Sequence, residues 1–168
     1  MRSAQDDNEA RIKVREMVAG IGTAIMTTVD MQGRLHGRPM RGLMAEHDDL
    51  TLWFFTRLDS PKVAELRHDS RVLLGYADVE SQDYASLFGR GHIVTDAAKK
   101  RELWTEPMRT WLPEGPESSA VGLIAVDVEG AEYWDGASSS LRFTFGYSQT
   151  QAIGRASPAR EDARTAFG

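Results

Sequence analysis

The sequence predicts a mainly β (α+β) domain, in which an antiparallel sheet closes into a barrel beside a few short helices. Short segments rich in β-branched and aromatic residues recur along the chain, separated by turn residues. The regular alternation of strand and helix that is typical of a doubly wound α/β fold is missing. With 168 residues, the chain is long enough for one domain with a sizeable core.

The strands are predicted from apolar runs that end at turn residues. Residues 23–29 read TAIMTTV, and the turn chemistry of residues 30–33 returns the chain. Pro39 cannot donate to a sheet ladder, so the returning strand is expected at an edge or a bulge. Gly89 and Gly91 indicate a bulge or a close approach of two backbones. The predicted strands are residues 23–29, 35–44, 50–55, 71–76, 84–94, 123–128, 131–134 and 141–147.

The helices are predicted from apolar spacing and from capping residues. Apolar residues at helical intervals predict a first helix from residue 9 to about Ala19. Ser60 suits the N-cap, and Pro61 the first position, of a second helix. Asp96 is expected to cap a third helix. Residues 106–115 are expected to form a helical turn.

The domain boundaries follow from where these patterns begin and end. Residues 1–8 are predicted to be a flexible tail, residues 9–150 to form the folded domain, and residues 151–168 to be a tail without predicted structure.

Composition excludes several classes of function. The chain has no cysteine, which excludes disulfides, thiolate metal sites and a thiol nucleophile. A net charge of -5 opposes general nucleic-acid binding. The four histidines lack metal-site spacing, so no metal is predicted. Neither a signal segment nor a membrane-spanning run is visible, and we therefore expect a cytoplasmic protein without membrane or nucleic-acid partners.

The segment around Ser60, Pro61 and Lys62 carries the clearest functional signal. A helix N-terminus offers free backbone N–H groups and partial positive charge, and Lys62 adds an ammonium, so an anion such as phosphate fits there. The aromatic strand just before it, which includes residues 53–55, can flank a flat ring. Together they predict a site for a nucleotide-like cofactor. Arg38 fits equally well as an exposed strand residue and as a phosphate-binding fork.

Several short motifs recur in a specific order over residues 8–136, and together they resemble the FMN-binding split-barrel superfamily, which includes pyridoxamine 5′-phosphate oxidase. Within that superfamily, the chain is most similar to the bacterial general stress protein group. The motifs are Gly37-Arg38-Pro39-Met40, Trp53-Phe54-Phe55-Thr56, Ser60-Pro61-Lys62-Val63-Ala64-Glu65-Leu66, Gly89-Arg90-Gly91, Trp104, Trp111-Leu112-Pro113-Glu114-Gly115 and Glu132-Tyr133-Trp134-Asp135.

The resemblance implies a split-barrel homodimer with FMN at the subunit interface. It implies that Arg38 and Lys62 hold the FMN phosphate with help from Ser60, and that Trp111 approaches the flavin from the partner subunit. Residues 53–56 would line the flavin, and Trp134 would complete the pocket wall. The cofactor-binding residues that it implies are Arg38, Pro39, Met40, Trp53, Phe54, Phe55, Thr56, Ser60, Lys62, Trp111 and Trp134.

The chain departs from the pyridoxamine phosphate oxidases at two places. Pro61 stands before Lys62 where those enzymes carry an arginine, and their C-terminal arginine motif is not recognisable. Oxidation of pyridoxamine phosphate is therefore not expected. No acid–base pair identifies catalytic residues, so whether the protein is an enzyme stays open.

The expected function is that of an FMN-binding stress-response protein, with flavin-dependent oxidoreductase activity as one interpretation. The alternatives are a non-enzymatic flavin carrier or sensor, and a split-barrel reductase that uses a deazaflavin or handles haem. Fold alone does not decide between them.

Overall fold

The structure is a computed structural model that describes residues 4–45, 50–137 and 140–145. The predicted tail at residues 151–168 lies outside the described residues, and so do the last two residues of the predicted strand at 141–147. The helices are α1 (Ala4–Ile21), α2 (Pro61–His68) and α3 (Ala97–Leu103), with a 3₁₀ helix at Glu106–Thr110. The strands are β1 (Thr23–Val29), β2 (Leu35–Arg41), β3 (Leu43–Met44), β4 (Thr51–Arg57), β5 (Arg71–Asp78), β6 (Asp83–Val94), β7 (Val121–Asp135) and β8 (Ser140–Phe145).

The strands form one antiparallel sheet in the order β2-β1-β5-β6-β7-β4-β3, and β8 pairs with β7. Strands β2 and β3 stand at opposite edges of this order, yet only Gly42 separates them in the sequence. The sheet must therefore curl until its two edges meet at Gly42. The backbone N–H of Gly42 donates to the carbonyl of Gly22 at 3.0 Å, which ties this corner to the end of α1. The predicted antiparallel barrel with a few flanking helices is confirmed.

The core lies inside the curled sheet and is covered by α1 and α2. On α1, Val14 and Val18 are 0% and 3% exposed. On α2, Val63 and Leu66 are buried. Burial of each such aliphatic side chain contributes about 1.5–3 kcal/mol, so these faces fix both helices on the sheet.

Two predicted strand boundaries were wrong. The predicted strand at residues 35–44 is divided at Gly42, because the chain there leaves one sheet edge and joins the other. The predicted strands at residues 123–128 and 131–134 are one continuous strand, β7. The Glu129-Gly130 pair, which resembles a turn in the sequence, sits where the register between β6 and β7 shifts.

The register shift falls between Phe88 and Gly89, which confirms the predicted bulge. A Cβ atom at Gly89 would collide with the backbone carbonyl oxygen of Asp127. Glycine is therefore required here by the close approach of two strands. Pro39 lies in β2, an edge strand, also as predicted.

Helix α1 begins at Ala4, so it includes residues 4–8, which the sequence analysis places in the N-terminal tail. That segment contains no glycine or proline that would interrupt a helix. The first described helix is therefore longer than its apolar face alone predicts.

Candidate functional site

A cavity of about 880 Å³ lies between the edge strand β2, the end of β4, the start of α2 and the 3₁₀ helix. It brings together seven of the predicted cofactor-binding residues: Pro39, Met40, Phe55, Thr56, Ser60, Lys62 and Trp111. The other lining residues are Thr23, Arg41, Leu43, Arg57, Thr105, Pro107, Met108 and Leu112. Most of this surface is apolar, with cations and hydroxyls at a few positions.

The start of α2 forms the polar end of the cavity. Ser60 occupies the N-cap position, as predicted, but its side chain does not cap the helix. Its hydroxyl instead donates to the carbonyl of Arg57 at 2.8 Å and lies 3.2 Å from the hydroxyl of Thr56. Pro61 has no N–H, and the N–H of Val63 donates to the carbonyl of Ser60 at 3.0 Å. The Ser60 side chain thus leaves the backbone N–H of Lys62 available to an anion.

Lys62 is half-buried in this first turn of α2. Burial lowers the pKa of Lys62, and the nearby charge of Arg38 lowers it further, while Glu65 acts in the opposite direction. The ammonium is therefore poorly solvated and close to another cation. An anion bound beside it would relieve both costs.

Arg38 is not among the residues that line the cavity, although it lies near Lys62. Its Nη2 atom donates to Oε2 of Glu65 on α2 at 2.8 Å, and its Nη1 atom donates to the hydroxyl of Thr28. The Thr28 hydroxyl in turn donates to the same Glu65 oxygen at 2.5 Å. The Nη1 and Nη2 donors of Arg38 are thus already used in a side-chain network beneath α2.

The aromatic strand divides its side chains between two faces, because neighbouring residues of a strand point in opposite directions. Phe55 lines the cavity and packs edge-on against Trp104, with ring centroids 5.2 Å apart. Phe54 is fully buried in the core, so its side chain does not reach the cavity. Trp53 is also outside the lining, and the ammonium of Lys99 lies 4.7 Å from its ring centroid.

Trp111 stands at the rim of the cavity with 82% of its surface exposed. Its backbone N–H donates to the carbonyl of Met108 at 3.0 Å, which places it directly after the 3₁₀ helix. An ion pair between Arg57 and Glu114 ties this segment to the end of β4. A large, flat and exposed indole is therefore held at the entrance.

Trp134 lies elsewhere. It pairs with Tyr84 on β6 and with Leu141 on β8, and it is not among the lining residues. Strand β7 runs from the cavity region to the opposite end of the sheet, and Trp134 falls near its far end. Trp134 therefore does not form part of the cavity wall within this chain, although the family resemblance places it there.

Several lining residues were missed by the sequence analysis, above all Arg41, Thr23 and Met108. Arg41 and Thr23 form a cross-strand pair of β1 and β2, so recognising one would have located the other. Met108 lies three residues before Trp111 in the predicted helical turn, which is one turn of a 3₁₀ helix. The three-residue spacing from Trp111 therefore could have indicated that Met108 lines the same cavity.

Comparison with known proteins decides the family. A family model described as "Pyridoxamine 5′-phosphate oxidase like" matches residues 9–157. The chain belongs to the pyridoxamine 5′-phosphate oxidase-like family. Solved structures of this kind share its fold, and they confirm the split-barrel architecture.

Two of these solved structures are General Stress Protein 26 from Bacillus anthracis and the general stress FMN/FAD binding protein from Xanthomonas citri. The first has a TM-score of 0.65 and 23% identity, covering 73% of this chain and 92% of the other. The second has a TM-score of 0.67 and 24% identity, covering 77% and 90%. The predicted likeness to the general stress protein group is confirmed at the level of fold.

Protein bli-3 from Neurospora crassa is 29% identical over 119 residues, which is 66% of this chain. The match spans 57% of the length of that fungal relative.

Two further findings on the described residues concern metal binding and membrane crossing. Within residues 4–45, 50–137 and 140–145, no cluster of histidine, aspartate or glutamate could hold a metal ion. None of the described helices combines the length and the apolar character needed to cross a membrane.

Proposed function

We propose that this protein binds FMN in the cavity, with the phosphate at the start of α2 and the flavin ring against the apolar walls. The observation that carries the proposal is the joining of a cationic helix N-terminus and a flat apolar surface within one cavity. Lys62 and the hydroxyl of Ser60 lie at the polar end. Phe55, Met40 and the exposed indole of Trp111 lie along the rest.

The size and chemistry of the cavity fit such a ligand. Its volume of about 880 Å³ lies within the range of cofactor sites. A phosphate dianion beside Lys62 forms charge-assisted hydrogen bonds, which are about twice as strong as neutral ones. The isoalloxazine is large and planar, so aromatic walls favour it. When bound, FMN supplies the redox chemistry, while the protein supplies position and electrostatics.

Arg38 has a more indirect part in this proposal than the family resemblance implies. Glu65 already satisfies one arm of its guanidinium at 2.8 Å. Arg38 therefore contributes positive charge behind the phosphate site, and Lys62 makes the direct contact. The summed charge of Arg38, Lys62 and Glu65 remains positive, as phosphate binding requires.

We also propose that the protein is a homodimer with the cofactor at the subunit interface. The outward face of β1, β2 and β5 carries exposed apolar residues, including Ile25 (51% exposed), Leu73 (45%) and Leu35 (71%). Ile25 pairs with Pro39, and Pro39 lines the cavity, so the apolar face and the cavity wall are continuous. Exposed apolar surface of this kind is typical of a protein interface.

Two of the similar structures are general stress proteins, and one of them is described as an FMN/FAD binding protein. This likeness supports a stress-response role and flavin binding for this chain. Flavin-dependent oxidoreductase activity is the chemistry that we propose for it. A cytoplasmic location, FMN rather than FAD or a deazaflavin, and the absence of nucleic-acid and membrane partners stay predictions within this proposal.

A flavin carrier or sensor is the second candidate. The lining residues are apolar, hydroxyl-bearing or cationic, which are groups that bind and orient a flavin. A carrier or sensor needs no proton-transfer group, and none of the described lining residues is an aspartate, a glutamate or a histidine.

Titration of the apo-protein with FMN and riboflavin, followed by flavin fluorescence, tests the binding proposal. We expect saturable quenching by FMN and at least about tenfold weaker binding of riboflavin, because riboflavin lacks the phosphate. Equal affinities would contradict the phosphate site. Reduction of the bound flavin by NADH or NADPH, followed at the flavin absorbance band, then separates an oxidoreductase from a carrier.

A further inference from the structure

We propose that Arg41 forms a second anion-binding point in the cavity, which takes the carboxylate or phosphate group of a small organic ligand bound together with the flavin. This inference rests on the proposed function for the identity of the first ligand. It concerns a different residue and a different part of the cavity wall.

Arg41 is the last residue of β2, is exposed and lines the cavity. It pairs across the ladder with Thr23, which lines the same wall. In a strand, residues two apart share a face, so Arg41 and Pro39 point the same way while Arg38 points to the opposite side. Arg41 lines the cavity, and the guanidinium of Arg38 is directed toward Glu65 in the network beneath α2.

Gly22 provides the space that the Arg41 guanidinium occupies. A Cβ atom at Gly22 would lie 2.6 Å from Nη1 and 2.9 Å from Cζ of Arg41. Gly22 has a φ of +73° and accepts a hydrogen bond from the N–H of Gly42 at 3.0 Å. The guanidinium thus rests on a backbone corner where α1, β1 and the barrel closure meet, and this corner restricts where it can point.

Arg41 differs from the other two arginines at this site, Arg38 and Arg57, because each of those two forms an ion pair. Arg38 is paired with Glu65, and Arg57 is paired with Asp59 and Glu114. Within the described part of the chain, Arg41 makes neither an ion pair nor a side-chain hydrogen bond. A guanidinium fork with free donors beside an apolar wall favours a bidentate oxyanion.

The position of Arg41 separates it from the phosphate site at α2. Arg38 is the β2 residue that contacts α2, and Arg41 follows it by three residues, or about 10 Å along the strand. The phosphate group of FMN therefore occupies the Lys62 end, and the guanidinium of Arg41 is left for a second anionic group. Carboxylates and phosphate esters are the classes that match the guanidinium geometry.

Benzoate is a suitable probe because it joins a flat apolar ring to a single carboxylate, and benzamide is its neutral counterpart. We would titrate both by calorimetry into the wild-type protein, with and without FMN, and into Arg41→Gln and Arg41→Lys. Arg67→Gln is the matched control, because Arg67 is an exposed arginine on α2 that does not line the cavity.

We expect benzoate to bind the wild type and Arg67→Gln equally, and to bind Arg41→Gln at least about tenfold more weakly, with Arg41→Lys in between. Benzamide should bind no better than benzoate binds Arg41→Gln. Absence of benzoate binding, equal binding to Arg41→Gln, or displacement of benzoate by FMN would each overturn the proposal. If FMN fails to bind while benzoate binding still depends on Arg41, the flavin proposal fails, and the anion-binding role of Arg41 stands without a flavin beside it.

Discussion

At the residue scale, the network of Arg38, Thr28 and Glu65 changes how the phosphate site works. Sequence alone identifies Arg38 as a phosphate ligand by family resemblance, but Glu65 follows it by 27 residues and only the fold brings them together. Thr28 is fully buried, and its hydroxyl lies between the two charged groups. Pairings between separate elements of this kind are set by tertiary packing, which local sequence patterns do not encode.

Replacing Glu65 with Gln should destabilise the fold at neutral pH by about 1.5–3 kcal/mol, because charge-assisted hydrogen bonds to Arg38 and Thr28 are weakened. Burial alone would raise the pKa of Glu65, but the bonds from Thr28 and Arg38 outweigh it, and the pKa lies below the ordinary 4.5. The stabilisation is therefore complete above about pH 4.5 and is lost as the pH falls through the folded-state pKa.

Urea unfolding of the wild type and the variant checks this prediction at neutral pH and at about pH 4 or lower. The difference in unfolding free energy should shrink at the lower pH. Glu102→Gln is the control, since Glu102 is exposed and pairs with Lys99 only at the surface. A Glu65 effect that is the same at both pH values would contradict the account.

At the element scale, the segment from the 3₁₀ helix to β7 is held by one buried lysine. Lys100 of α3 is 4% exposed, and its ammonium donates to the carbonyls of Ser118 and Val121 at 3.0 Å each. These contacts fix the segment that carries Trp111 into the cavity rim. The sequence predicts α3 and its Asp96 cap, and the cap is confirmed by a 2.7 Å bond from the N–H of Lys99. Lys100 resembles a surface residue in the sequence, so its burial could not be predicted.

Replacing Lys100 with Met keeps the length of the side chain but removes its three donors. We expect a loss of about 1.5–3 kcal/mol in unfolding free energy, because two carbonyls lose a charged donor. Arg101→Met is the matched control and should change stability by less than about 0.5 kcal/mol, since Arg101 is exposed and pairs with Glu117 at the surface. Thermal and urea unfolding measure both. Equal losses in the two variants would mean that the carbonyl contacts contribute nothing specific.

At the scale of the whole molecule, the sequence predicts the barrel class but not how the barrel closes. Short strands and turn residues are local signals, and they locate β1, β5 and β6 well. Gly42, by contrast, joins two strands at opposite edges of the sheet, and nothing local distinguishes it from a residue within one strand. The continuity of β7 across Gly130 is likewise decided by its pairing with β6.

The proposed homodimer makes a prediction at this same scale. Ile25→Lys places a charge on the outward apolar face, so it should shift the protein from dimer to monomer while leaving the fold intact. Ile12→Lys is the matched control, because Ile12 is 49% exposed on α1 and Ile25 is 51% exposed. Size-exclusion chromatography with light scattering reports the mass, and circular dichroism reports the fold. A wild-type monomer would contradict the proposed homodimer, and a dimer unaffected by Ile25→Lys would place the interface elsewhere.

The central claim is that the start of α2 holds the FMN phosphate through Lys62. The most direct test is the ratio of the riboflavin and FMN dissociation constants, measured for the wild type and for Lys62→Gln. We predict that the substitution weakens FMN binding by at least about tenfold while riboflavin binding stays within about twofold, so that the ratio falls toward one. An unchanged ratio in Lys62→Gln would contradict the claim, whatever the absolute affinities.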